Sequence, residues 1–122
     1  ALTDLMNRVR QPFNVNSLAQ AAAIAALADI DFLRRSAALN REGMMLLEQG
    51  FKDLGLSFVK SYGNFVLVKV GDAKAINEKL LQAGVIVRPV AGYGLPEWLR
   101  VSIGLPVENQ RFLDALAKIV KV

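Results

Sequence analysis

Arg100 lies in the alternating run Trp98-Leu99-Arg100-Val101-Ser102-Ile103-Gly104. Successive side chains of a strand point to opposite faces, so Leu99, Val101 and Ile103 suit a core. Trp98, Arg100 and Ser102 then share the other face. A guanidinium is a planar fork of donors that can grip a carboxylate or phosphate through two parallel hydrogen bonds. Arg88 closes an earlier apolar run, Val85 to Arg88, and the segment Val90-Ala91-Gly92-Tyr93-Gly94-Leu95-Pro96 joins the two runs. If the two strands are neighbours, both guanidiniums can converge on one anion. The alternative is two unrelated surface arginines that serve solubility. Tyr93 belongs either to a mobile loop that closes over a ligand or to a half-packed surface.

Most other chemistry is excluded by residue type. The chain has no histidine and no cysteine. That removes the usual general base at neutral pH, the commonest metal ligand, and every serine–histidine or cysteine–histidine arrangement. Lys60, Lys69, Lys74 and Lys79 fall at strand or helix positions with no sign of desolvation, so none resembles a Schiff-base nucleophile. Asp29 and Asp31 read as helix caps, and no metal-ligand spacing is present. Gly92-Tyr93-Gly94 lacks the strand-to-helix context of a dinucleotide fingerprint. The net charge of +4 comes from scattered lysines and arginines with no basic block interleaved with aromatics, which argues against a nucleic-acid surface.

The elements that must position the arginines follow from periodicity. Asp4 to Arg10 reads as the tail of a helix stopped by Pro12, and residues 11–16 as a linker. Ser17 and Gln20 have capping-box spacing ahead of an alanine-rich helix, Leu18 to Ala28. So small a polar face demands packing on several sides, hence a neighbour. Asp29 or Asp31 caps the next helix, whose stripe is Leu33, Ala37, Asn40, Met44, Leu47, Phe51 and Leu54. Gly55 ends it where a left-handed residue is needed. Leu56 to Ser61 reads as a strand, residues 62–64 as a tight turn, and Phe65 to Val70 as a central strand apolar on both faces. Asp72 caps a helix closed by Gly84. Val85 to Arg88 is a third strand stopped by Pro89, and the Arg100 run is a fourth. Gly104 breaks it, and Pro106 opens a last helix buried through Phe112, Leu113, Leu116 and Val120. The fold class is α+β: a small, mostly antiparallel sheet of three to four strands covered by helices.

The chain's 122 residues, 53% of them apolar, suit one ordinary domain with a real core. No apolar run reaches membrane-spanning length, and the start Ala1-Leu2-Thr3-Asp4 has no signal pattern. Without cysteine, a cytoplasmic setting is the default.

The runs "RQPFNVNSLAQAAAIAAL", "GNFVLVKVG" and "LLQAGVIVRPVAGYGLPEWLRVSIGLPVENQRFLDAL" resemble the C-terminal part of the histidinol-phosphate aminotransferase family. These are pyridoxal-phosphate enzymes of the aspartate aminotransferase fold. The resemblance covers essentially the whole chain and is most specific from Gly84 to Asn109. It implies that residues 1–16 are the end of a large-domain helix and an interdomain linker, and that 17–122 form the small domain. It implies that Arg100 binds the substrate's anionic end, with Arg88 close by and Tyr93 in the bordering loop. Asn14 and Asn16 would lie on the linker beside the site. The Schiff-base lysine and the groups that hold pyridoxal 5'-phosphate would belong to the large domain, leaving no catalytic or cofactor residue in this chain. Partners would be an anionic small-molecule substrate, that large domain and a second subunit of a homodimer, with no nucleic acid or membrane. One departure is Leu105, where the family often has a threonine or serine cap. A free-standing α+β regulatory module that binds an amino acid or phosphorylated metabolite is the competing reading.

Overall fold

The computed structural model describes residues 2–120 and falls into two compact units, Ala1–Arg35 and Ser36–Val122. In the first unit, α1 (Leu2–Val9) and α2 (Ser17–Ala28) bury no residue. The alanine-rich α2 leaves Leu18, Ile24 and Leu27 exposed, an apolar surface of the kind that calls for a partner. The expected cap moves by one residue. Asn16, not Ser17, is the N-cap of α2, and its Oδ1 accepts the Ala19 amide at 2.9 Å. An extended Asn16 reaches the third helical amide, so the helix starts a residue earlier than capping through Ser17 would allow. Gln20 donates instead to the Val15 carbonyl at 3.0 Å. Before it, Phe13 is fully exposed at a left-handed φ of 57°, a conformation that costs an aromatic residue energy. Asp29 is the carboxylate that caps α3 (Ile30–Asp53), accepting the Phe32 amide at 2.9 Å. Asp31 instead pairs loosely with Arg34 at 3.8 Å.

The second unit is an antiparallel sheet of β1 (Phe58–Val59), β2 (Phe65–Lys69), β3 (Arg88–Val90) and β4 (Leu95–Ser102), in the order β1-β2-β4-β3. With α4 (Ala73–Gln82) and α5 (Pro106–Val120) this is the α+β class read from the sequence. Val66 faces Val101 and Val68 faces Leu99 across β2 and β4. All four are buried with Met44, Leu47 and Phe51 of α3, Ala73 and Leu80 of α4, and Phe112, Leu113 and Leu116 of α5. The helices therefore cover one face of the sheet. Phe51 sits at the centre, its ring 5.9 Å from Phe58 and 6.1 Å from Phe112. The lower part of the α3 stripe is core as expected, whereas Leu33 and Ala37 are exposed. Asn40 is its polar member because its amide donates to the Gly63 carbonyl at 3.0 Å, tying α3 to the β1–β2 turn. Gly50 lets α3 approach α5 closely, since a Cβ there would lie 2.5 Å from Leu113.

Two strands differ from expectation. The run from Leu56 to Ser61 contributes only Phe58–Val59 to the ladder. Val85–Val87 stays outside the sheet, and β3 carries Pro89 within it. An edge strand tolerates a residue without an N–H, and the register shifts between Pro89 and Val90. The segment after it is a single 3-10 turn over Ala91–Tyr93, closed by Gly94 at φ 77°, and β4 begins at once with Leu95.

The α5 start explains how Leu105 serves in place of a hydroxyl cap. Glu108 reaches back to accept the Leu105 amide at 2.7 Å, the reciprocal half of a capping box. Asn109, buried at 3% exposure, accepts the Gly104 amide at 2.9 Å and donates to its carbonyl at 3.0 Å. The end of the Arg100 strand is thereby locked to α5.

Candidate anion-binding site

The sheet brings Arg88 and Arg100 together. They are direct partners across β3 and β4, so their Cβ atoms are about 4.5–5.5 Å apart and both side chains rise from the face opposite the core. The row continues through Leu67, which pairs with Arg100, to Val59, which pairs with Leu67. One cross-strand row thus has an apolar half and a cationic half.

Like charges placed directly opposite each other across a sheet repel. Among the described residues neither guanidinium has an ion-pair partner; the recorded pairs are Arg34 with Asp31 and Lys69 with Glu97 at 3.1 Å. Arg100 is half-buried, and its Nε is fully buried with no hydrogen-bond partner. A buried donor without an acceptor is costly, more so when charged. Such an arrangement is ready for an oxyanion, which would satisfy the donor and cancel the repulsion together.

Tyr93 ends the 3-10 turn between the two arginine strands and is exposed, which leaves it free to lean on a neighbouring surface or ligand. Asn14 is exposed in the first unit. Asn16 lies there too, with its side-chain oxygen engaged in capping α2. A ligand bond to Asn16 would therefore use its amide nitrogen or compete with the cap.

Sequence reasoning missed Phe65. The Arg100 guanidinium carbon lies 5.2 Å from the centre of the Phe65 ring. Phe65 pairs with Ser102, one step diagonally from Arg100 on the same face. The alternation Phe65-Leu67-Lys69 is visible in the chain, but which strand lies beside it, and in what register, is long-range information.

The donors that the two arginines present suit an anion. Every lysine among the described residues is exposed, so none has the desolvated setting of a Schiff-base nucleophile. Among those residues no group of three or more aspartates and glutamates could hold a metal, and no helix is long and apolar enough to cross a membrane. A surface hollow of about 400 Å³ is lined by Val85–Val87, Val101–Gly104 and the start of α5, and includes neither Arg88 nor Arg100.

The second unit is an α+β layer that presents two facing arginines from one sheet face, and residues 1–116 of the chain match the family described as aminotransferase class I and II. The chain belongs to that family. Its relatives point to one branch. It is 61% identical over 124 aligned positions to histidinol-phosphate aminotransferase 1 of Cupriavidus pinatubonensis, covering 98% of this chain and 33% of that protein. It is 60% identical over 120 to histidinol-phosphate aminotransferase of Methylobacillus flagellatus, with the same coverage. Its structure is similar to that of histidinol-phosphate aminotransferase from Sinorhizobium meliloti in complex with pyridoxal-5'-phosphate, with a TM-score of 0.78 and 30% identity over 97% of this chain and 34% of that one. The chain thus spans about a third of the length of the curated relatives it matches.

Proposed function

We propose that this chain is the substrate-recognition domain of a histidinol-phosphate aminotransferase, a cytoplasmic homodimer of histidine biosynthesis. The complete enzyme would transfer the amino group of histidinol phosphate to 2-oxoglutarate, giving imidazole acetol phosphate and glutamate. The observation that carries the reading is the unpaired Arg88–Arg100 couple on β3 and β4, in a chain with about 60% identity to enzymes of that name. Pyridoxal phosphate would supply the electron sink for amino transfer. The exposed lysines here do not fit its attachment, so it would be held by the large domain, with residues 1–16 as the end of a large-domain helix and the linker and 17–122 as the small domain.

The part played by this chain is orientation. Arg100, with Arg88 beside it, would fix the anionic end of the substrate so that the amine lies at a set distance and angle from the cofactor. Fixing a reactant in this way supplies much of a barrier's entropic part. Tyr93, Asn14 and Asn16 would border the bound substrate, and closure of the domain would exclude water. A free-standing regulatory module is disfavoured by the exposed apolar residues of α2.

The test is an amino-transfer assay on the complete protein with histidinol phosphate and 2-oxoglutarate, read together with the absorption spectrum of the purified enzyme. A yellow protein that forms glutamate only when both substrates are present is expected. A colourless protein that binds a phosphorylated metabolite without turnover would replace this reading with the regulatory one.

A further inference from the structure

We propose that Phe65 is a positioning residue for Arg100, holding its guanidinium by ring electrostatics in the place where a carboxylate would otherwise stand. The proposal rests on the reading of Arg100 as the anion-binding residue and adds how that residue is kept ready. Arg100 faces Leu67 across β2 and β4. A long side chain there can lean along β2 toward either diagonal neighbour, Phe65 or Lys69. Lys69 repels it and is already paired with Glu97 at 3.1 Å. Arg88, directly opposite on the other side, repels it too. The guanidinium lies over Phe65, 5.2 Å from the ring centre. The negative face of an aromatic ring attracts a cation without being a hydrogen-bond acceptor. A carboxylate in the same place would occupy the donors and compete with the substrate's own anion. Phe65 holds the charge and leaves the donors, including the unpartnered Nε, for the ligand. Phe65 is 38% exposed and lies outside the buried core cluster.

The experiment compares steady-state kinetics of the complete enzyme with histidinol phosphate in five forms: the parent, Phe65→Leu, Phe65 replaced by 3,4,5-trifluorophenylalanine, Arg100→Ala, and Phe65→Leu with Arg100→Ala. Fluorination keeps the ring close to its size while removing the negative face. The expected result is a KM raised about threefold to tenfold by Phe65→Leu and raised as well by fluorination, with KM moving more than kcat. Phe65→Leu adds nothing once Arg100 is alanine. Should Phe65→Leu fail to fold, the fluorinated enzyme decides alone. An Arg100→Ala enzyme with raised KM beside an unchanged fluorinated one overturns the role of Phe65 and leaves Arg100 in the site. An Arg100→Ala enzyme with unchanged KM overturns both.

Discussion

The two faces of one sheet obey opposite rules. On the inner face Val66, Val68, Leu99 and Val101 are closed over by three helices and are at most 4% exposed. On the outer face Arg100, between Leu99 and Val101, stands opposite Arg88 with no counter-ion among the described residues, and its Nε–H is unpartnered. One face is settled within the molecule, while the other keeps two facing cations and an unpartnered donor. Binding sites commonly retain such local unfavourable energy, supported by stability elsewhere in the domain. Here the two parts are one residue apart along β4.

The largest effect that sharpens this contrast comes from the inner face. Leu99→Ala opens a cavity under the sheet and is expected to destabilise the fold by about 2–5 kcal/mol. Chemical denaturation measures it; a loss well below that range would mean that the core does not stiffen β4. Next is Asn109→Ala, which strands both polar groups of Gly104 and is expected to cost about 1–3 kcal/mol. Because Asn109 anchors the end of the arginine strand, its substrate KM should rise as well. Leu105→Thr completes the capping box already half built by Glu108 and should raise stability by about 0.5–1 kcal/mol with no change in KM. The smallest shift has the most direct bearing on the contrast. Arg88→Thr removes a facing charge and should stabilise the fold by about 0.2–1 kcal/mol while weakening substrate binding. A variant that loses stability and binds substrate normally would erase the distinction between the faces.

Much of this was legible in the chain. The alternation around Arg100 placed Leu99 and Val101 inside and Arg100 outside, and Asp72, Gly55, Gly84 and Pro106 marked helix ends that the structure retains. Local signals failed where a neighbour decides. Pro89 stops a central strand but not an edge strand, and edge position is a property of the sheet. Ser17 and Gln20 have the spacing of a capping box, yet the side-chain oxygen of Asn16, one residue earlier, accepts the Ala19 amide at the same helix end. The pairing of Arg88 with Arg100 could be stated only conditionally, because strand order is long-range. The Phe65 contact depends on the register of β2 against β4, and no spacing within either strand reveals it.

The central claim is that the Arg88–Arg100 couple grips the anionic end of the substrate, and the kinetics of Arg100→Ala in the complete enzyme test it most directly. Loss of a charge-assisted, partly desolvated bond is expected to raise the KM for histidinol phosphate by about one to three orders of magnitude. The cofactor's absorption spectrum should stay as it is in the parent enzyme. A KM unchanged from the parent would remove Arg100 from the site and contradict the account.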